Sequence, residues 1–202
     1  WLCLWLKFLG ANILGYSLPL SKNEILFKKL NTKLNIKSIY GDISDFKKLG
    51  KSIRNFKPDI IFHLAAQPLV IDSYKKPIYT MSTNIIGTAN LMYSAIGIKN
   101  LKSIVIVTSD KCYENNENKI QFTEIDKLGG DDPYSASKAA SEIVANSFSK
   151  SFLENVGVAT ARSGNVIGGG DYANNRLIPD IIRSINNNKD IFLRHPKNTR
   201  PW

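Results

Sequence analysis

Apolar positions along this chain alternate between a helical and a strand rhythm. Trp1, Leu2, Trp5, Leu6 and Leu9 share one helical face, and Gly10 can end that helix. Asn12 to Tyr16 reads as a short strand, Asn23 to Leu30 as a helix, and Lys37 to Ile43 as a strand finishing at Gly41-Asp42. Ser44 or Asp45 can cap the next helix, which runs to about Phe56, and Pro58 breaks it before the fully apolar strand Ile60 to Leu64. Further on, the pattern predicts a long helix over Thr83 to Ile96 and a strand buried on both faces over Ser103 to Val107. A helix containing Tyr134 then extends to about Phe152, and Val158 to Ser163 is the last clear strand before Gly168-Gly169-Gly170. Apolar strands separated by amphipathic helices predict an α/β fold with a parallel sheet and right-handed crossovers.

Composition narrows the class. With 202 residues, 43% of them hydrophobic, the chain can bury one sizeable core and the start of a second domain. The net charge of +10 comes mostly from Lys scattered among Asn and Ile. Its clusters are pairs such as Lys28-Lys29, Lys47-Lys48 and Lys75-Lys76. Nucleic-acid readout favours clustered Arg, so no nucleic-acid partner is expected. Cys3 and Cys112 have neither metal-ligand spacing nor a disulfide framework, which suits a reducing cytoplasm and predicts no metal. The apolar opening lacks a charged leader and a cleavage site, and no run is long enough to span a bilayer, so neither a signal peptide nor a membrane partner is expected. The chain starts at Trp1 rather than Met and stops at Trp202 without a closing element, which leads to the expectation of a fragment.

Candidate chemistry lies at the strand exits, where a doubly wound sheet binds its ligand. Asp42 follows one strand, Ala65-Ala66-Gln67 another, and Thr108-Ser109-Asp110-Lys111 a third. Asp42 can accept a hydrogen bond from an adenine amino group, and Ala65 and Ala66 let a dinucleotide approach the backbone. Tyr134 and Lys138 stand four residues apart, on one helical face, so the Lys138 ammonium can favour the ionised phenol and make Tyr134 a general base. Taken singly, these features are ordinary: Gly-Asp is a plain turn, Asp-Lys a surface ion pair, and Tyr-x-x-x-Lys common on solvated helices. Their coincidence at one sheet edge is what points to a site. His63, inside an apolar strand, reads as a core histidine with one satisfied nitrogen, and His195 as a loop residue.

A series of motifs in order then carries a resemblance: Gly-Asp-Ile at 41–43, Phe-His-Leu-Ala-Ala-Gln at 62–67, Ser-Thr-Asn-Ile-Ile-Gly-Thr at 82–88, the Tyr134 and Lys138 pair, and Arg-Ser-Gly-Asn-Val-Ile-Gly at 162–168. The chain resembles the extended short-chain dehydrogenase/reductases that modify nucleotide sugars. Thr-Ser-Asp-Lys-Cys-Tyr at 108–113, Gly-Gly-Gly-Asp at 168–171, Arg-Leu-Ile-Pro-Asp at 176–180 and Arg-Pro-Trp at 200–202 look most like the CDP-glucose 4,6-dehydratases among them. The resemblance implies a Rossmann-like doubly wound parallel sheet lacking its first strand, with residues 1–166 a partial dinucleotide-binding domain and 167–202 the beginning of a smaller substrate domain. The missing strand and its Gly-x-x-Gly-x-x-Gly turn would precede Trp1, so the 202-residue chain alone is expected to be inactive.

The resemblance also implies roles. NAD would contact Asp42, Ile43, Ala65, Ala66, Gln67, Thr108, Tyr134 and Lys138, and the catalytic set would be Ser109, Asp110, Lys111, Tyr134 and Lys138. Asn84, Asn165, Arg176 and Arg200 would meet the sugar nucleotide, with CDP-glucose as the implied substrate of a cytoplasmic protein that is a homodimer when full length. Lys111 stands where better-known dTDP-sugar enzymes have Glu, and can serve as a base only with a depressed pKa. UDP-N-acetylglucosamine 4,6-dehydratases share Asp-Lys and 4-epimerases share Tyr-x-x-x-Lys. The epimerases need no elimination pair, so Asp110-Lys111 counts against them. An inactive nucleotide-binding module is the reading from outside the enzymes.

Overall fold

In the computed structural model, which describes residues 1–20, 25–114, 121–193 and 196–197, the strands pair as two sheets. β1 (Leu14–Ser17) pairs with β2 (Lys37–Tyr40). β3 (Ile60–His63), β4 (Ser103–Val107) and β5 (Gly157–Ala161) form the second sheet in that order. Both of its ladders are parallel, with Ile60 opposite Ser103 and Ser103 opposite Gly157. Parallel neighbours require long crossovers, and both are helical. α4 (Val70–Lys75), α5 (Pro77–Met81), a π-helical turn over Ser82–Ile86 and α6 (Gly87–Ala95) connect β3 to β4. α7 (Pro133–Phe152) connects β4 to β5.

Contacts divide the chain into two compact units, residues 14–18 with 38–163 and residues 1–13 with 19–37 and 164–202. The larger unit holds the core. α3 (Phe46–Phe56) is capped by the Asp45 side chain on Lys48 N and buries Leu49 and Ile53. These meet Leu91, Met92 and Ala95 of α6, Ile104 and Ile106 of β4, and Ala145 of α7. Burying apolar area of this kind is the main stabilising term of the unit.

The expectation that β4 is buried on both faces is corrected. β4 fully buries only the face carrying Ile104 and Ile106, which are 0% and 1% exposed, while Ser103, Val105 and Val107 are half-buried. β3 is an edge strand of its sheet, and Ile60 and Phe62 remain 50% and 38% exposed despite the uniformly apolar sequence. The core helices cover one face of β4, so the alternate residues of the strand turn away from them.

In the smaller unit lie α1 (Leu2–Phe8), α2 (Ile25–Leu34) and α8 (Leu177–Asn186). α2 runs past the expected Leu30 to Leu34 and is stopped by Asn35, whose φ of 47° is the left-handed conformation that ends a helix. α8 was masked in the sequence by Pro179, which is tolerated because it falls in the first turn, where no intrahelical N–H is needed. The Trp1 indole Nε1 donates to the Gly169 carbonyl at 2.8 Å. Gly170 has φ of +87°, and a Cβ there would lie 2.6 Å from Leu26 Cβ, so the close approach requires glycine.

Candidate functional site

The first turn of α7 is fixed by its own sequence. Asp132 caps it, accepting from Tyr134 N at 2.9 Å and Ser135 N at 3.0 Å, and Pro133 occupies the first helical position. Gly130, at φ +151°, lets the preceding loop pass so close that a Cβ would sit 2.5 Å from Ala136 N. Half-buried Tyr134 is thereby held at the helix start.

One turn further on, Lys138 is 7% exposed and its Nζ donates to the Val107 carbonyl at 2.9 Å. Burial pushes its pKa down to about 8. Val107 ends β4, and the next residues form the turn that carries the expected acid and base. Ser109 Oγ donates to Asp110 Oδ1 at 3.0 Å and accepts from Lys111 N at 3.2 Å, starting a 3-10 turn over Asp110–Cys112. Asp110 N reaches the Ser163 carbonyl at 2.9 Å, which ties the turn to the chain leaving β5. Asp110 and Lys111 are half-buried.

Beneath the turn lies a residue that the sequence analysis did not single out. Glu142 is 5% exposed and accepts from Thr108 Oγ1 at 2.6 Å, from Cys112 Sγ at 3.4 Å, and from the Arg162 guanidinium at 2.5 to 3.0 Å through both carboxylate oxygens. Burial pushes its carboxyl up, but the hydrogen bonds from Arg162, Thr108 and Cys112 outweigh that and hold it below the ordinary range. Burial, followed by the neighbouring Glu142 charge, pushes the Cys112 thiol up to about 12, so it remains a neutral donor. The Arg162 guanidinium lies over the Tyr113 ring at 4.6 Å, and that ring stacks on Phe122 with centroids 4.5 Å apart. A signal for Glu142 was present, since Tyr134, Lys138 and Glu142 recur at four-residue intervals along one helix face.

Asn84 sits behind the site rather than in it. It is 1% exposed, accepts from Gln67 N at 2.8 Å, and donates to Gln67 O at 3.3 Å and Ser137 Oγ at 2.8 Å. Its own carbonyl, opened by the π-helical turn, accepts from Thr88 Oγ1 at 2.6 Å and Ser141 Oγ at 2.8 Å. Asn84 therefore joins the β3 exit to α7, its side-chain amide spent on these internal contacts. Gln67 is likewise internal, its amide engaged by the Leu69 backbone and Thr80 Oγ1. The Thr108 hydroxyl is directed to Glu142.

At the other strand exits, Asp42 Oδ1 accepts from Ser44 N at 2.8 Å, Ile43 is buried in the core, Ala65 is exposed and Ala66 half-buried. His63 is a core residue, as expected. Thr88 gives its single hydroxyl proton to Asn84, so His63 Nε2, 3.0 Å away, is the donor to Thr88. Burial, with a smaller effect of Lys138, pushes the His63 pKa down to about 4. In the smaller unit Asn165 is exposed, and Arg176 Nη1 pairs with Asp171 Oδ2 at 3.1 Å. Arg200 and His195 lie outside the described residues. Among those described, no helix is long and apolar enough to cross a membrane.

Residues 14–202 match the family described as GDP-mannose 4,6 dehydratase. The chain is 47% identical to a CDP-glucose 4,6-dehydratase of Salmonella typhimurium, over all of this chain and 58% of that protein. It is 34% identical to a dTDP-D-glucose 4,6-dehydratase of Dictyostelium discoideum, over 96% of this chain and 50% of that protein. It thus spans roughly half to three-fifths of the length of these relatives. Among solved structures, a dTDP-glucose 4,6-dehydratase from Streptomyces venezuelae with NAD bound superposes at a TM-score of 0.79 with 24% identity, over 92% of this chain and 58% of that one. A UDP-glucuronic acid 4-epimerase from Bacillus cereus, in complex with UDP-glucuronic acid and NAD, gives a TM-score of 0.79 with 21% identity, over 94% of this chain and 60% of that one. At these identities the structures establish the fold.

Proposed function

The chain belongs to the GDP-mannose 4,6 dehydratase family, and we propose that it serves as a nucleotide-sugar 4,6-dehydratase acting on CDP-glucose with NAD. The observation that carries this reading is the bond from Lys138 to the carbonyl of Val107, the residue immediately before the Thr108 to Lys111 turn. It sets the helix bearing Tyr134 against a turn that offers both an acid and a base.

The residues present fit the adenosine side of NAD. Asp42 uses Oδ1 for Ser44 N, leaving Oδ2 to accept from an adenine amino group, and the small side chains of Ala65 and Ala66 leave room beside the β3 exit. When bound, NAD supplies a hydride acceptor at C-4 of the sugar and a hydride donor at C-6.

Tyr134 takes the proton of the C-4 hydroxyl, and the Lys138 cation favours the phenolate that does so. Ser109 orients the C-4 oxygen. Once C-4 is a ketone, the C-5 proton is acidic. Lys111 removes it while Asp110 gives a proton to the C-6 hydroxyl, which leaves as water. Asn165, Arg176 and Arg200 are assigned to the sugar diphosphate, Arg through its two-pronged hydrogen bonding.

The same reading includes a cytoplasmic homodimer. Exposed Ile78 of α5 and Ile143 of α7, 80% and 60% accessible, support an apolar interface, and light scattering tests it. The reaction is tested by incubating CDP-glucose and NAD with the chain and with a version extended to the full length of the Salmonella relative. Mass spectrometry should find the sugar lighter by one water. A product of unchanged mass, epimeric at C-4, would overturn the reading in favour of an epimerase.

A further inference from the structure

The buried carboxylate of Glu142 collects donors from both ends of one short segment: Thr108 at its start and Cys112 at its end. Between them stand Ser109, Asp110 and Lys111. Arg162 neutralises the same carboxylate from the end of β5, and its guanidinium continues over Tyr113 and to the Thr123 and Glu124 carbonyls at 3.5 and 3.3 Å. A second strap holds the following residues, with Glu114 N on Lys127 O at 2.9 Å and Gly129 N on Cys112 O at 2.9 Å. The chain from 108 to 114 is therefore anchored to α7 at the residue one turn beyond Lys138.

We propose that Glu142, with Arg162 as its counter-charge, is a positioning residue that sets the Ser109-Asp110-Lys111 turn in register with Tyr134 and Lys138. Because Tyr134, Lys138 and Glu142 share one face of a single rigid helix, the base for C-4 oxidation and the anchor of the elimination pair cannot shift independently. Glu142 faces the back of the turn, with Asp110 and Lys111 on the side open to solvent. Its effect passes through backbone geometry. Arg162 also removes the cost of an isolated carboxylate in the interior, where an unpaired charge is strongly disfavoured. The catalytic consequence rests on the dehydratase reading above, whereas the anchoring does not.

The test has two arms. Cys112 is 0% exposed beneath the turn, so in a Cys3→Ser background its reaction rate with a thiol reagent reports how often the segment opens. Glu142→Gln should raise that rate by about tenfold or more. The Glu142→Gln/Arg162→Met pair, which leaves no buried charge unpaired, should do the same if the single variant folds poorly. Far-UV circular dichroism must match the parent for either variant to be read. In the active enzyme, Glu142→Gln should slow formation of the 4-keto-6-deoxy sugar by about tenfold or more, with a smaller slowing of NAD reduction through Ser109 and a KM changed by less than about twofold. Glu142→Asp should recover part of the loss. An unchanged Cys112 rate in both folded variants overturns the anchor. Equal slowing of oxidation and elimination overturns the positioning role. If the parent enzyme forms no dehydrated sugar, the dehydratase reading fails while the thiol measurement still decides the anchor.

Discussion

Lys138 Nζ donates to the Val107 carbonyl at 2.9 Å, joining α7 to the last residue of β4. A single buried cation thereby satisfies a strand-end carbonyl and lies on the helix face that carries Tyr134. The contact has two consequences. It places the helix relative to the turn after β4, and it keeps the ammonium largely desolvated, which is why its pKa falls to about 8. At neutral pH Lys138 remains mostly charged, the state that favours ionisation of a nearby phenol.

Tyr134→Phe should lower turnover of CDP-glucose by ~10²-fold or more with little change in sugar-nucleotide affinity, because the proton acceptor at C-4 is lost while the ring remains. Steady-state kinetics alongside equilibrium binding checks it. Activity within a few fold of the parent would remove Tyr134 from its role.

Asp110→Asn and Lys111→Ala should uncouple the two halves of the reaction. The amide cannot protonate the departing C-6 hydroxyl and alanine cannot remove the C-5 proton, yet C-4 oxidation is untouched. Stopped-flow absorbance should show reduced nicotinamide accumulating, and mass spectrometry should find no dehydrated sugar. A variant that dehydrates at the parent rate excludes its residue from the elimination pair.

His63 makes the stability of the larger unit pH-dependent. Its folded pKa of about 4 is depressed from 6.5, so the unfolded chain binds more protons between those values and stability rises with pH across that window. The contribution is complete above about 6.5, declines as pH falls towards 4, and amounts to roughly 3 kcal/mol in all. Urea unfolding from pH 7 to 4 should show this slope, and His63→Gln should flatten it. An unchanged slope in the variant would place the acid sensitivity elsewhere.

Asn84→Ala should destabilise the larger unit by about 1–3 kcal/mol, because it leaves the buried Gln67 N–H without its acceptor and removes the donor to Ser137. The urea midpoint should fall with an unchanged m-value. A shift below about 0.5 kcal/mol would show that water or a neighbouring group replaces the amide.

Local periodicity was enough to read the β4 range, the end of α3 at Phe56 and the end of α7 at Phe152, and it narrowed the α3 cap to Ser44 or Asp45, of which Asp45 is the one used, because capping residues and regular apolar spacing act over a few neighbouring positions. Tyr134 and Lys138 fall one turn apart on α7 as their spacing required, because i to i+4 spacing is a local property of a helix. Which polar groups face a ligand and which face one another was not legible. Asn84 and Gln67 looked like binding residues, yet their amides meet across the π-helical turn, a bulge that the apolar pattern of Thr83 to Ile96 does not announce. Glu142 and Arg162 are separated by 20 residues and meet only because α7 returns the chain to a strand parallel to β4. Helix and strand periods are properties of the sequence, but burial of a charge depends on which distant group arrives to pair with it, and that is decided by the crossover.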